Sequence, residues 1–169
     1  MKQILVIGAG RSAVTLIDYL LKESHLNLWK VTIADYNLNL AENLASNNSN
    51  ARPIFFNVND EQQRENEIRN SDIVVSMLPS NMHYLVAKDC LKFKKNLVTA
   101  SYVSDQIKSY DELARKNNII FLNEIGLDPG IDHMSAMKVI DELRLKKAKL
   151  LSFKSYCGGL IHPESDNNP

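Results

Sequence analysis

The sequence lacks an excess of charge of either sign: twenty Lys and Arg face twenty Asp and Glu, and the formal net charge at pH 7 is zero. Nucleic acid and anionic membrane surfaces are captured by basic patches, so neither is an expected partner. No apolar run reaches the ~20 residues needed to span a bilayer. The amino terminus is strand-like from residue 3, without the basic region, apolar stretch and small-residue cleavage site of an export signal. Cysteine is scarce as well. Cys90 and Cys157 lie far apart and form no Cys-x-x-Cys, which removes a dithiol redox motif and a thiolate metal site. No pair of the four histidines has metal-ligand spacing, so no metal is expected. These absences predict a soluble protein of a reducing cytoplasm. There is no solenoid repeat, and 169 residues suffice for one well-buried domain with a short extension.

What is present is concentrated at the start. In Leu5-Val6-Ile7-Gly8-Ala9-Gly10-Arg11-Ser12-Ala13 an apolar run fit for a buried strand meets a glycine turn, and a helical pattern follows at once. A dinucleotide pyrophosphate needs that order. Gly8 permits the sharp turn, Gly10 has no side chain to hold phosphates off the backbone, and a small Ala13 lets helix and strand pack closely. The first helical turn offers unpaired N–H groups and a positive dipole end to the anion. A second strand, Val31-Thr32-Ile33-Ala34, ends in Asp35 at the fingerprint's spacing. Its carboxylate can accept from an adenosine ribose and repels a 2′-phosphate, so NAD is favoured, with NADP left open. The other role for Asp35 is that of a solvated residue at a strand end.

The rest alternates strands and helices. Residues 3–7 are a strand, and a helix from about Ser12 to Lys22 carries Val14, Ile17 and Leu21 on one face. A helix begins at Leu38 and ends in the polar run 47–50. Residues 53–56 make a third strand, and a charged, weakly amphipathic helix runs to about Arg69. The fourth strand, 73–78, is stopped by Pro79; a helix over 82–92 precedes a fifth strand at 96–100, and one over about 104–116 precedes a sixth at 119–122. This rhythm predicts an α/β fold, a Rossmann-like doubly wound parallel sheet of order 3-2-1-4-5-6. Ligands then bind beyond the carboxyl ends of the strands, at loops 8–12, 35–36, 57–60, 77–81, 100–103 and 123–130. Ser12, Pro79 and Ala100 on these loops join Gly8, Gly10, Ala13 and Asp35 as candidate cofactor contacts.

The run Asn123-Glu124-Ile125-Gly126-Leu127-Asp128-Pro129-Gly130-Ile131-Asp132-His133 resembles the signature of glutamate-forming saccharopine dehydrogenases. Leu78-Pro79 with His83, Val98-Thr99-Ala100-Ser101-Tyr102-Val103-Ser104 and Ser155-Tyr156-Cys157-Gly158-Gly159-Leu160 agree, so the resemblance covers essentially the whole chain. It implies oxidation of a secondary amine: saccharopine and water give glutamate and 2-aminoadipate 6-semialdehyde, with hydride passing to a nicotinamide. It also implies that Gly8-Ala9-Gly10-Arg11, Asn57-Val58, Leu78 and Leu127-Asp128-Pro129 line the dinucleotide, while Ser101, Tyr102 and Asp128 face the substrate. Asp128 is the first candidate for contact with the substrate amine and for proton transfer. Its other role is capping the following helix or fixing the loop, and Tyr102 has packing at a strand end as its alternative. His83 and His133 are read as structural or as supporting groups, Cys90 as core, and Cys157 as near the pocket but without a base.

Two other readings share the scaffold: a related amine dehydrogenase of polyamine synthesis, and a nucleotide-binding module without chemistry. Arg11 stands where relatives commonly have an uncharged residue, and Leu160-Ile161-His162-Pro163-Glu164 departs from the family's Leu-Pro-Ala-Pro-Glu. The expected organisation is a nucleotide-binding domain over 1–130, then a connecting helix (131–145) and a first strand (149–156) of a truncated second domain over 131–169. A strand without a partner leaves pairing with a second copy, a homodimer, open. The chain alone is expected to keep its fold but lack turnover.

Overall fold

A computed structural model of the chain describes residues 1–156. The expectations for Cys157 and for the segment beyond it lie outside the described residues. The chain divides into two compact units, Met1–His133 and Met134–Pro169.

Six strands, β1 (Lys2–Ile7), β2 (Trp29–Asp35), β3 (Ala51–Phe55), β4 (Ile73–Ser76), β5 (Asn96–Thr99) and β6 (Phe121–Leu122), form one sheet of order β3-β2-β1-β4-β5-β6. Every pairing is parallel. The order expected from the strand–helix rhythm is therefore the observed one. Between the strands run α1 (Val14–Asn27), α2 (Leu38–Ala45), α3 (Glu61–Arg69), α4 (His83–Phe93), α5 (Asp105–Lys108) and α6 (Asp111–Lys116); α7 (Ile131–Leu145) follows β6.

Because strand side chains alternate between faces, β1 feeds two cores. Ile4 and Val6 pack with Val31, Ile33, Ala13, Ile17 and Ala41 on one side. Leu5 and Ile7 pack with Val74, Leu97, Ile68, Val86 and Cys90 on the other. The buried stripe of α1 is Ile17, Leu20, Leu21 and Ser24, whereas Val14, expected on that face, is 43% exposed. The stripe starts one turn later, at Ile17, and takes in Leu20 beside Leu21.

The helix expected over 104–116 is two. Ser104 accepts the N–H of Ile107 to start α5, the chain tightens through an Ile107 carbonyl bond to the Tyr110 N–H, and α6 begins after Tyr110. Residues 149–156 form no strand. Strand-like alternation produces a strand only where a neighbour supplies the ladder, and none is present among the described residues. In α7 the apolar Met134, Met137, Val139 and Leu143 are all exposed. Among the described residues no helix is long and apolar enough to cross a membrane, and no cluster of three His, Cys, Asp or Glu is arranged to hold a metal.

The second core also contains charge. Arg64 of α3 donates through Nε to Asp89 Oδ2 of α4 at 2.6 Å, with both side chains buried, and through Nη1 to the Val58 carbonyl. Next to Asp89, Cys90 is fully buried, and burial, then the Asp89 carboxylate, pushes its thiol far above the usual range. Only a thiolate reacts readily. We expect Cys90 to resist iodoacetamide at pH 8 in the native chain and to be alkylated once denaturant is added, as read by peptide mapping. Alkylation of native Cys90 at the rate of a free thiol contradicts this packing.

Candidate functional site

The turn after β1 is built as its glycines require. Gly8 has φ +105°, and a Cβ there would lie 2.7 Å from the Met77 carbonyl oxygen, so backbone packs directly on backbone. Gly10 differs. Its φ of −70° suits any residue, and a Cβ on it meets no atom of the described residues within 4 Å. The protein itself leaves that space open, beside the start of a 3₁₀ turn (Arg11–Ala13) and α1, neither of which is capped by a side chain. Uncapped N–H groups and the helix dipole suit an anion there. Ala13 is completely buried in the first core. Ala9 is buried, while Gly10, Arg11 and Ser12 are exposed.

Beside this turn is a cleft of about 460 Å3 lined by Gly8, Asp35, Tyr36, Asn57, Val58, Leu78, Pro79 and Met82, among others. Its walls are the carboxyl ends of β1 to β4, where the fold places ligands. Asp35 Oδ2 accepts the Ala9 N–H at 2.6 Å, and Oδ1 accepts the Asn37 N–H at 2.8 Å. The carboxylate thus ties the glycine turn to the end of β2. An ionised carboxylate has about four acceptor sites, so capacity for further donors remains. The opposite wall is fixed by Gln63, whose Oε1 accepts the Asn57 N–H and whose Nε2 donates to the Phe55 carbonyl. These features, above all the open side of Gly10, fit a dinucleotide.

A second group of residues gathers where β5 and β6 end. The Tyr102 hydroxyl donates to Asp128 Oδ1 at 3.1 Å. That bond, with smaller contributions from burial and from Asp132 and Glu124, holds the phenol above its ordinary pKa, so Tyr102 stays a proton donor. Glu124 bridges the two loops: its N–H donates to the Ser101 carbonyl, and its Oε1 accepts from the Val103 N–H. Gly126 packs on Ala100, since a Cβ there would lie 2.9 Å from the Ala100 Cβ. The Gly126 N–H donates to the Pro129 carbonyl, and a Cβ on Gly130, at φ +148°, would strike the Gly126 backbone. The 123–130 loop is therefore folded tightly on itself. It holds Pro129 buried and leaves Leu127 and Asp128 exposed. The Asn123 side-chain oxygen is buried without a hydrogen-bond partner among the described residues.

His83 joins the two groups. It is the first residue of α4, directly after Met82 of the cleft, and it is buried. Its Nδ1 lies 2.8 Å from Ser76 Oγ and its Nε2 lies 2.8 Å from Ser101 Oγ. Burial lowers its pKa, which leaves the ring neutral at pH 7.

Gly8, Asp35, Asn57, Val58, Leu78 and Pro79 thus line one cleft, and Ser101, Tyr102 and Asp128 share one hydrogen-bonded loop pair. Tyr36, Asn59 and Met82 of the cleft were not singled out as contacts. The available signal was position: Tyr36 and Asn59 lie on the expected ligand loops 35–36 and 57–60, and Met82 lies one residue past 77–81. His133 pairs with Asp132 on α7 at 2.8 Å, in the open.

Comparison with known proteins accords with this geometry. The family model described as the saccharopine dehydrogenase NADP binding domain matches residues 4–122, and that of the saccharopine dehydrogenase C-terminal domain matches residues 126–169. A saccharopine dehydrogenase [NADP(+), L-glutamate-forming] of Pyricularia oryzae is 39% identical over 99% of this chain and 36% of its own length. An alpha-aminoadipic semialdehyde synthase of Arabidopsis thaliana is 37% identical over 98% of this chain and 17% of its own length. Among solved structures, the apo saccharopine dehydrogenase (L-Glu forming) of Saccharomyces cerevisiae superposes with a TM-score of 0.84 at 37% identity, over the whole chain and 37% of that protein. The chain thus spans little more than a third of the fungal relatives. The matched domain and the fungal relatives carry NADP in their names, which gives no support to the NAD preference drawn from Asp35. With both of its domain models matched in order and the same sheet superposed, the chain belongs to the saccharopine dehydrogenase family.

Proposed function

We propose that this chain is the dinucleotide-binding part of an oxidoreductase that oxidises the CH–NH bond of saccharopine, yielding glutamate and 2-aminoadipate 6-semialdehyde. The observation that carries the reading is the Tyr102–Asp128 hydrogen bond, set at strand carboxyl ends of the same sheet as the glycine turn. When bound, the dinucleotide supplies the hydride acceptor. The chain supplies orientation and proton management. Gly8, Ala9, Gly10, Arg11 and Ser12 receive the phosphates, with Ala13 packed beneath the turn; Asn57, Val58, Leu78 and Pro79 wall the cleft; Ala100, Ser101, Leu127, Asp128 and Pro129 border its far end. Asp128 faces the substrate's cationic amine, and Tyr102 holds a proton on the phenol oxygen beside it. Water is the co-reactant, and the proton lost from the amine leaves through acceptors such as Asp128.

For the cofactor we propose NAD. Asp35 lines the cleft, and the residues that follow it, Tyr36, Asn37, Leu38 and Asn39, include no cation to hold a 2′-phosphate. The NADP named in relatives is the competing reading, and Arg11 is the residue that would serve it.

The test is thermal stabilisation of the chain by NADH, then by saccharopine on top of NADH. We expect both increments in the wild type. We expect the saccharopine increment alone to vanish in Asp128→Asn and to shrink in Tyr102→Phe. A saccharopine increment unaffected by Asp128→Asn removes Asp128 from the substrate site.

A further inference from the structure

The Ser76–His83–Ser101 chain has a direction, and the direction gives Ser101 a role. Ser76 Oγ is fully buried at the end of β4, and His83 Nδ1 is its hydrogen-bond partner. If Nδ1 carried the ring proton, the serine would accept, and its own O–H would be left buried without an acceptor. A buried hydroxyl without an acceptor is unfavourable. The favourable arrangement has Ser76 donating to an unprotonated Nδ1. A neutral imidazole has one donor and one acceptor, so Nε2 then carries the proton and donates to Ser101 Oγ at 2.8 Å. Thr99 Oγ1, 3.3 Å from Nε2 and 3.5 Å from Nδ1, is the longer and weaker neighbour. Ser101 accepts from the ring, and its own hydrogen is free to point elsewhere.

Ser101 is half-buried and precedes Tyr102, which is bonded to Asp128; Met82, a wall of the cleft, precedes His83. The Asp128, Glu124 and Asp132 carboxylates that act on the neighbouring Tyr102 accept and do not donate, and the Tyr102 hydroxyl is given to Asp128, so a ligand oxygen placed here needs another hydroxyl donor. We infer that His83 is a positioning residue: as the Nε2–H tautomer it polarises Ser101 so that the Ser101 hydroxyl donates to a ligand oxygen, a substrate carboxylate or the carboxamide of a nicotinamide. The ligand half of this inference rests on the proposed function. The tautomer half does not.

The two halves are tested separately. Long-range 1H–15N NMR of the ligand-free chain reads the His83 tautomer directly. The expected result is a neutral ring protonated at Nε2 in the wild type, with the Nδ1–H form appearing in Ser76→Ala, where the donor to Nδ1 is gone. A wild-type ring protonated at Nδ1, or a ring doubly protonated at pH 7, overturns the inference. For the ligand half, NADH and saccharopine are titrated into wild type and Ser101→Ala. Loss of one hydrogen bond weakens binding roughly two- to tenfold. Weakened NADH binding identifies the carboxamide as acceptor, and weakened saccharopine binding alone identifies the carboxylate. Unchanged affinity for both overturns the ligand half. A wild type that binds neither overturns the proposed function and the ligand half together, and the tautomer result stands.

Discussion

Asp89→Ala destabilises the chain by about 3–5 kcal/mol, because it leaves the Arg64 guanidinium buried without its counter-charge. For a chain of this size that is a fall in Tm of roughly 10 °C. The cost does not mean that the ion pair is strongly stabilising. Removing two charges from water opposes their attraction, and Asp89 Oδ1 has no hydrogen-bond partner among the described residues. The double variant Arg64→Met with Asp89→Leu is therefore expected to recover most of the lost stability. It should not recover the cleft fully. Arg64 also donates to the Val58 carbonyl, and Val58 lines the cleft. Denaturant melts of the three proteins check the first statement and nucleotide affinity the second. A loss below 1 kcal/mol for Asp89→Ala contradicts the burial of this pair.

The two glycines of the first turn separate structure from ligand. Gly8→Ala places a methyl group 2.7 Å from the Met77 carbonyl oxygen at a φ that side chains rarely adopt. Strain and overpacking together cost about 2–4 kcal/mol, and dinucleotide binding is lost with the turn. Gly10→Ala touches no protein atom at an ordinary φ, so the melting temperature of the unliganded chain stays within a degree or so of wild type. Its methyl group occupies the space left for phosphate, and we expect NADH affinity to fall tenfold or more. The pair is read by differential scanning fluorimetry with and without NADH. A Gly10→Ala chain that binds NADH normally means that the phosphates pass elsewhere.

Much of this was legible in the sequence because it depends on local pattern. Apolar runs for β1, β2 and β4, the small Ala13 and the acid closing β2 each follow from a residue type that a strand, a close packing or a turn demands. The strand order follows from handedness once the alternation is seen. What was not legible depends on partners distant in sequence. Arg64 sits in a helix whose composition reads as a solvated face, and only Asp89, 25 residues later, explains its burial. Asp89 gave a faint signal, being three residues after Val86 and beside Cys90 on the buried stripe of α4. His83 has the structural, supporting place expected of it, but its partners, Ser76 and Ser101, were not legible because they belong to two different strand ends. The expected strand at 149–156 failed for the converse reason: its alternation is present, and its partner is not among the described residues.

We propose that the cleft at the carboxyl ends of β1 to β4 holds a dinucleotide whose ribose is read by Asp35. Isothermal titration of the wild-type chain and of Asp35→Ser with NADH and with NADPH tests it most directly. We expect tighter binding of NADH by wild type, and a loss of that preference in Asp35→Ser as the charge facing a 2′-phosphate is removed. Tighter binding of NADPH by wild type, unaltered by Asp35→Ser, would contradict it.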